Sequence, residues 1–522
     1  MGWTVNVTQF IKMKPFSIVL LGDSITEITC WRPIVWEQIT SAGLACNVDS
    51  VGSMNNLQGA YTRPSGFDPD HEGQGLDMRD ASFAQQPIRP LDHSQGYQFD
   101  PLLHLPGISP YFDAVGFGLS HAAPDGCTVT AASYLIRHAA IYANDAEYED
   151  YIQPFLAKLD KHRGGFSGPL EILNDWTSPI DEDHLEDVTP SGKVDATRIG
   201  HHLVKRYPHL AGSVERVVAD TKARTYDTAR AFLKAFPHDG DIDVTRLDKK
   251  ELHDGTRAVL PHKACSNFTK APGTEEQLEF LQVYGTQTSR RLRPFTPDDF
   301  ALAPKDVFAL QSICGYESAI QGARSAICDF FSDAEWLSYE YAWDMKYAHM
   351  VGPLNPLSSY LGFPWLHSQS QLFEAIDEGA ALGNGTPIEW PSEQRLFFYF
   401  THREVPPFVA TALGIFNSSS YQGRDEFPTS HVNHVRAWKM SDLIPFLGHV
   451  GMEKMTCDRA DMNGGEGGQE DFVRFIANTA PRPLPLCQSG PGASCPFETF
   501  QGIVRAGMDK YGDFDGVCQN GG

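Results

Sequence analysis

Two apolar runs, far apart in the chain, each lead directly into chemically reactive side chains. Residues 128–136 (TVTAASYLI) and 395–400 (RLFFYF) are rich in β-branched and aromatic residues, a pattern that predicts buried strands. Arg137 and His138 follow the first run, and the segment 401–404 (THRE) follows the second. Because α/β folds bind ligands at the carboxyl ends of their strands, both segments are candidate functional positions.

The amino-terminal part of the chain follows a separate pattern. Apolar residues predict a short buried strand at 17–21, a helix at 32–42 and a second strand at 47–51. A strand, a helix and a strand at this spacing predict the opening of a parallel α/β sheet. Ser24 lies just beyond the carboxyl end of its first strand, where such sheets carry their chemistry.

Polarity divides the chain into segments. Residues 76–100 have few apolar positions and no sustained period, which predicts a linker. We therefore expect an amino-terminal segment at 1–80, a linker at 81–100 and a globular domain at 101–522. The helix-like segments within that domain include residues 278–283, 333–346, 369–379 and 405–416, the last beginning near a proline pair.

The charge balance excludes one broad class of function. Among 522 residues, 66 acidic and 42 basic side chains give a formal net charge of −24. Binding along a nucleic-acid backbone requires basic surface, so nucleic acid is not expected as a partner. A local arginine cluster still permits a small anionic substrate. No apolar run approaches the roughly 20 residues that span a bilayer, so no membrane partner is expected either.

Cysteine usage indicates an oxidising compartment. Eight of the ten cysteines lie beyond residue 120 and none forms a CxxC pair, which argues against a zinc ribbon. Such an even, scattered set predicts disulfides in a secretory protein, with Cys487 and Cys495 bracketing a small loop. The alternative is a set of free buried thiols in a cytosolic protein. The amino terminus lacks the order of a signal peptide, whereas sequons fit secretion and begin at Asn6, Asn267, Asn384 and Asn417.

The side chains after the two strands suit phosphoryl chemistry. An imidazole can attack phosphorus and carry the phosphoryl group, and a neighbouring guanidinium can hold the non-bridging oxygens. His138 and Arg137 supply that pair. His402 and Glu404, at the second strand-to-helix junction, can bind an oxyanion and protonate a leaving group. We therefore expect a small phosphorylated substrate, with neither metal nor cofactor.

Further segments, taken together with the Arg-His pair, carry a family resemblance. They are GHHLVKRYPHL at 200–210, KARTYDTARAFLKAF at 222–236, ICDFFSDAEWLSYEYAWDMKY at 327–347, GPLNPLSSYLGFPWL at 352–366 and VRFIANTAPRPLPLCQSGPGASC at 473–495. With them, residues 100–520 resemble the histidine acid phosphatase family, which includes fungal phytases and acid phosphatases. The resemblance implies a large α/β lobe with a mostly helical lobe inserted between the two catalytic segments.

The resemblance also implies roles for the residues at the two junctions. His138 takes the position of the nucleophile, and Arg137 and His402 take positions that bind the phosphoryl group. Glu404 takes the role of the proton donor, as in the His-x-Glu version seen in inositol-polyphosphate phosphatases. Arg403 stands where the family usually has aspartate, and it is a candidate to replace lost positive charge.

The chain departs from the family's Arg-His-Gly-x-Arg-x-Pro pattern after its first two residues. Glycine is replaced by Ala139, the second arginine by Ile141 and proline by Ala143. A further arginine usually contributed by the middle of the domain aligns near Val218. Arg216 and Arg224 are the two nearby candidates to replace it, and Arg224 is expected to have a structural part at its helix start.

The amino-terminal segment carries a second resemblance. The matching segments are LLGDSITE at 20–27, CWRPIVWEQI at 30–39, VGS at 51–53 and FDPDHEGQG at 67–75. They resemble the start of the GDSL (SGNH) esterase family, which implies a nucleophile at Ser24 and an oxyanion-hole glycine at Gly52. The family's later asparagine and Asp-x-x-His blocks are not found, and His71 is a weak substitute base. We expect a truncated fragment.

Three functional hypotheses follow. The first is a phosphohydrolase that works through His138. The second is a protein of the same fold that has become a binding protein, or an enzyme acting on a metabolite without phosphate. The third, an acetyl or carbohydrate esterase that works through Ser24, is the weakest.

Overall fold

The computed structural model describes residues 13–18, 28–33, 45–48, 99–114, 116–180, 182–237, 241–248, 254–381, 388–417, 425–458, 468–485 and 487–519. The chain divides into two compact units, residues 1–72 and residues 73–522. Within the described residues, no helix is both long and apolar enough to cross a membrane.

The first unit contains three short strands, β1 (Met13–Ile18), β2 (Ile28–Pro33) and β3 (Ala45–Val48). They pair in the order β1-β2-β3, and both pairings are antiparallel. The parallel sheet expected from the spacing of the apolar runs is therefore wrong for these strands. β2 covers the beginning of the segment expected to form a helix at 32–42, because Arg32 and Pro33 pair with β1 there instead of starting a helix. Ser24, Gly52 and His71 lie outside the described residues.

The second unit is built on a mixed sheet. Its strands are β4 (Cys127–Arg137), β5 (Arg216–Asp220), β6 (Asp243–Leu247), β7 (Leu396–Thr401), β8 (His449–Asp458), β9 (Gln469–Ala477), β10 (Ala480–Arg482) and β11 (Cys495–Pro496). They lie in the order β10-β9-β8-β4-β7-β5-β6, and β11 pairs with β9. The half from β4 to β6 is parallel, and the half from β4 to β10 is antiparallel.

Helices surround this sheet in the chain order α1 (Asp145–Glu147), α2 (Gln153–Lys161), α3 (Pro190–Arg206), α4 (Ala223–Leu233), α5 (Asp254–Arg257), α6 (Pro261–Ala264), α7 (Thr274–Leu292), α8 (Pro304–Gln321), α9 (Asp333–Met350), α10 (Ser358–Glu378), α11 (Val405–Leu413), α12 (Phe497–Tyr511) and α13 (Phe514–Cys518). A π-helical turn, Tyr148–Ile152, joins α1 to α2. The described residues between β6 and β7 form helices and no strand, which confirms the expected helical insertion in an α/β fold.

The two predicted strands of the second unit are confirmed as β4 and β7. All six residues of β7 are buried, as expected for a central parallel strand that is covered on both faces. The strand then leads into α11, where Pro406 and Pro407 occupy the first turn, in which their missing N–H groups cost nothing. Gly414 ends the helix with φ of 70°, a left-handed conformation that glycine adopts without a steric penalty.

Four disulfides cross-link the second unit. They join Cys127 to Cys457, Cys265 to Cys518, Cys314 to Cys328 and Cys487 to Cys495. The first bridges the directly paired residues of β4 and β8, and the last closes the predicted small loop. The alternative of free buried thiols is wrong for these eight cysteines, and the bridges fit an oxidising compartment.

Candidate functional site

Three adjacent parallel strands bring the candidate residues together. Arg137 is the last residue of β4, His402 follows the last residue of β7, and Asp220 is the last residue of β5. Arg137 is paired in register with Thr401, and the His138 backbone N–H donates to the Thr401 carbonyl at 3.0 Å. The strand order β4-β7-β5 therefore lines up the three side chains along one edge of the sheet.

A cavity opens at this edge. Its empty volume is about 280 Å³, a figure that includes space open to solvent. All five of the predicted site residues line it, together with five others; the full lining is Arg137, His138, Ile141, Asn144, Arg224, Lys270, Tyr316, His402, Arg403 and Glu404. The two segments predicted from the strand ends therefore belong to one site.

His138 is held in the tautomer that a nucleophile needs. Its Nδ1 lies 2.9 Å from the Ala139 carbonyl oxygen, which only accepts, so Nδ1 carries the hydrogen and Nε2 keeps its lone pair. Burial lowers the pKa of His138 well below its usual value, and the positive charges of Arg137 and Arg224 lower it further. His138 is therefore a neutral imidazole near neutral pH.

Arg137 is fixed by the backbone around it. Its Nη1 donates to the Ile444 carbonyl at 2.7 Å and its Nη2 to the Gly107 carbonyl at 2.6 Å. The guanidinium carbon lies 4.4 Å from the centre of the Phe446 ring. Burial lowers the pKa of Arg137 to about 10, so the group stays charged. Its Nε is buried with no hydrogen-bond partner among the described residues, a donor left for a ligand.

His402 forms a hydrogen bond to a carboxylate that was not among the site residues predicted from the sequence. Its Nε2 lies 2.6 Å from Oδ2 of Asp220, which also accepts from the Lys263 ammonium. Burial acts to raise the pKa of Asp220, but the hydrogen bonds from His402 and Lys263 outweigh it and hold the pKa below its usual value. Asp220 ends the buried run RVVAD, so the rule that selected Arg137 and His402 also applies to it.

Glu404 is paired with a lysine. Its Oε1 lies 2.8 Å from Nζ of Lys270. Although burial acts to raise the pKa of Glu404, Lys270, His262 and Arg403 lower it well below its usual value. For Glu404 to act as the proton donor predicted from the sequence, its surroundings must change so that the carboxyl takes up a proton.

Arg403 lines the cavity but is paired with a buried carboxylate. It donates to Oε1 of Glu147, whose Oε2 accepts from the Tyr316 hydroxyl at 2.7 Å. Burial acts to lower the pKa of Arg403, but Tyr347 and Glu147 raise it well above its usual value. Arg403 therefore adds a permanent positive charge, neutralised in part by Glu147.

Arg224, not Arg216, reaches the cavity. Arg216 is the first residue of β5, at the opposite end of the strand from Asp220, and it pairs with Asp243 at 2.8 Å. Arg224, from the first turn of α4, forms an ion pair with Glu186 and lines the cavity, and its Nε is buried without a partner among the described residues. Of the two candidates, Arg224 is therefore the one in the cavity, and its ion pair with Glu186 at the start of α4 also fits the structural part expected for it. Val218, where the family arginine aligns, is buried in β5.

The missing motif arginine is replaced by an apolar wall. Ile141 is 2% exposed and lines the cavity where the family pattern has its second arginine. Apart from Arg137, the cations at this edge are paired with carboxylates: Arg224 with Glu186, Arg403 with Glu147, Lys270 with Glu404, and Lys263 with Asp220. Within the described part of the chain, no group of three or more histidine, cysteine or acidic residues could hold a metal ion.

The mixed sheet, the helical insertion and the cavity define an α/β protein with a cationic cavity, lined by two histidines, at its strand ends. A family model for the histidine phosphatase superfamily, branch 2, matches residues 128–478, which is more than half of the chain. The chain belongs to that family. The match excludes the first unit, so the SGNH resemblance there remains a prediction.

Curated relatives and solved structures agree with this assignment. The acid phosphatase PHO1 of Komagataella pastoris is 25% identical over 443 residues, which cover 82% of this chain and 89% of the relative. The phytase PHO112 of Candida albicans is 24% identical, with coverages of 81% and 87%. The crystal structure of the phytase from D. castellii superposes with a TM-score of 0.68 at 23% identity, covering 84% of this chain and 92% of that one.

Proposed function

We propose that the protein is an acid phosphatase-type phosphomonoesterase that uses His138 as its nucleophile. The observation that carries this proposal is the placement of a neutral imidazole beside two buried guanidinium Nε–H groups, those of Arg137 and Arg224, that have no partner among the described residues. The acid phosphatases and phytases among the relatives support it. The substrate is a small phosphate monoester.

In the first step, the lone pair on Nε2 of His138 attacks phosphorus. A nitrogen–phosphorus bond forms as the bond from phosphorus to the ester oxygen breaks, and that oxygen takes the electron pair and a proton. Arg137 and Arg224 hold the non-bridging oxygens through charge-assisted hydrogen bonds. His138 becomes a phosphohistidine, and the alcohol leaves.

Glu404 supplies the proton once the substrate has changed its surroundings. An entering phosphoryl group brings negative charge toward Glu404 and attracts Lys270, and both effects raise the pKa of the Glu404 carboxyl. The carboxyl gains a proton more readily in acid, so turnover is fastest at acidic pH. In the second step, water attacks phosphorus, Glu404 takes a proton from it, and the electron pair of the breaking bond returns to Nε2.

The test compares the parent with His138→Ala on p-nitrophenyl phosphate, phytate and p-nitrophenyl acetate. Loss of a covalent nucleophile reduces kcat by about 10³-fold or more. His431→Ala is the matched control, because His431 is exposed and lies outside the cavity. We expect full phosphatase turnover from that control. Phosphatase turnover that survives His138→Ala would overturn the proposal.

A second candidate is a phosphatase fold turned to a substrate without phosphate. The apolar Ile141 at the position of the motif arginine favours it, because each charge-assisted hydrogen bond lost weakens phosphate binding by about 1.5–3 kcal/mol. A folded parent protein inactive on both phosphate esters would favour this candidate. Hydrolysis of p-nitrophenyl acetate that disappears in Ser24→Ala would instead revive the esterase hypothesis.

Secretion is part of the same proposal. The four disulfides fit the secretory pathway. N-linked glycosylation remains a prediction from the sequons, of which the one at Asn267 has an exposed asparagine in the structure. Treatment of secreted protein with an endoglycosidase and measurement of its mass test this prediction.

A further inference from the structure

Asp220 is a buried carboxylate at the active edge whose contacts are all defined. It is 1% exposed and ends β5 beside the carboxyl end of β7. Its Oδ2 accepts from His402 at 2.6 Å and from the Lys263 ammonium, and its Oδ1 accepts from the Thr221 backbone N–H at 2.7 Å. With both oxygens held, Asp220 presents a fixed negative charge to the His402 ring.

This contact determines which nitrogen of His402 carries a hydrogen. Because a carboxylate only accepts, Nε2 of His402 is the donor, and Nδ1 is the remaining ring nitrogen. In the neutral ring Nδ1 has a lone pair, which repels the oxygens of a phosphoryl group. Only the doubly protonated ring donates at Nδ1. For His402 to bind phosphate as a donor, it must therefore carry a positive charge.

Some of the groups around His402 lower the pKa of its ring, and others raise it. Burial has the largest effect and lowers the pKa of His402, as do the charges of Arg224 and Lys263. The hydrogen bond to Asp220 and the charge of Glu404 raise it, and the net pKa is about 4. The rings of His138 and His262 lie 5.8 and 5.7 Å from the His402 ring, centre to centre. Asp220 is the only one of these groups that hydrogen-bonds to the ring among the residues that the structure describes.

We propose that Asp220 is a positioning residue that fixes the His402 ring and stabilises its protonated form, so that His402 gives the phosphoryl group the positive donor that Ile141 cannot give. The proposal rests on the proposed function and deepens it. The lost arginine is replaced by a charge that His402 takes up in acid and when an anion enters the cavity. Asp220 itself does not touch the substrate.

The experiment measures turnover of p-nitrophenyl phosphate and binding of inorganic phosphate across the acidic pH range. In Asp220→Asn we expect KM and the phosphate Kd at pH 4 to rise about tenfold, the effect of one charge-assisted hydrogen bond. The rise of 1/KM toward low pH moves to lower pH, because His402 protonates less readily beside a neutral amide. Asp220→Glu, which keeps the charge, recovers most of the affinity.

The matched control is Asp471→Asn. Asp471 also pairs with a lysine, Lys454 at 2.8 Å, but it lies on β9 level with the amino end of β4, whereas the cavity lies at the carboxyl end of β4. We expect parental KM and pH dependence from it. Parental values in Asp220→Asn as well, with only a lowered Tm, would assign Asp220 a purely structural role and overturn the inference while leaving the proposed function intact.

A second measurement follows the histidine rings of the parent protein and does not depend on the Asp220 variants. In ¹⁵N NMR spectra of the histidine rings, with His402→Gln to assign the signals, we expect hydrogen at Nε2 of His402 near neutral pH. Inorganic phosphate then moves the protonation midpoint of His402 upward. A midpoint that phosphate leaves unchanged would overturn the inference whether or not the Asp220 variants fold. Failure of His138→Ala to abolish turnover would separately overturn the proposed function.

Discussion

Lys270 is the strongest of the charges that lower the pKa of Glu404, so this contact has a leading part in when the proposed proton donor holds a proton. The Lys270 ammonium lies 2.8 Å from the Glu404 carboxylate, and the lysine side chain is 59% exposed while the glutamate is buried. An exposed lysine can leave its partner for a substrate oxygen at little cost, because water solvates it in either position. The pair therefore links substrate entry to protonation of Glu404.

Lys270→Met tests this link. Lys270 lowers the pKa of Glu404, so its removal raises that pKa and a larger fraction of the carboxyl is protonated at any given pH. We expect the fall of kcat on the alkaline side to move to higher pH, with a higher KM because a cation is lost. Measurement of kcat against pH checks this. A pH profile that does not shift would contradict the proposed link between Lys270 and the protonation of Glu404.

At the scale of elements, the residues at the strand ends could be predicted from the sequence. The lysines from other segments that pair with them could not. Short apolar runs followed by Arg-His and His-Arg-Glu identified β4 and β7 and five cavity residues. Asp220 needed only the same rule applied to β5. Lys263 lies in α6 and Lys270 in the loop that follows it. No sequence pattern predicts that these lysines lie near the strand ends. Only the folding of that segment against the strand ends brings them into the site.

Close packing of α10 on α11 holds the second catalytic junction in place. Gly362 lies in α10, and a Cβ built there would be 2.2 Å from the Phe408 carbonyl oxygen in α11, which backbone atoms cannot relieve without a shift. α11 begins directly after Glu404. The position of this helix, and with it that of the catalytic junction, therefore depends on a residue without a side chain in the facing helix.

Gly362→Ala is expected to destabilise the fold by about 1–3 kcal/mol, as overpacking does, and to lower kcat/KM. Gly502→Ala is the matched control: it also lies within a helix, α12, and a Cβ there would meet only the end of Arg505 at 4.0 Å. We expect that control to be neutral or to stabilise by about 0.5–1 kcal/mol. Urea unfolding of both variants provides the measurement, and equal stabilities would contradict the packing argument.

At the scale of the whole molecule, covalent links tie distant parts of the chain to the site. The Cys265–Cys518 disulfide spans 253 positions and attaches the segment after α6 to α13 near the carboxyl terminus. Ser266 and Asn267 donate to the carbonyls of Cys518 and Val517. The segment that carries Lys263 and Lys270 is therefore anchored at its middle by a bond and two hydrogen bonds.

Replacement of both Cys265 and Cys518 by serine is expected to lower the free energy of unfolding by about 2–4 kcal/mol. It is also expected to raise KM, because the segment bearing Lys263 and Lys270 loses its anchor. The double replacement of Cys487 and Cys495 is the control, since that bridge closes a loop of 8 positions away from the cavity lining. Thermal unfolding and p-nitrophenyl phosphate kinetics check both. An unchanged KM in the variant without the Cys265–Cys518 bridge would show that this disulfide does not help to position Lys263 and Lys270 for substrate binding.

The pairing of cavity cations with carboxylates has a consequence for the catalytic cycle. Three cations of the cavity already form ion pairs within the protein: Arg224 with Glu186, Arg403 with Glu147 and Lys270 with Glu404. Inorganic phosphate, the product, must compete with these built-in counterions, and they reclaim the cations as it leaves. Of the four described cations that line the cavity, three thus regain a carboxylate partner within the protein as phosphate leaves, and Arg137 keeps its backbone carbonyls.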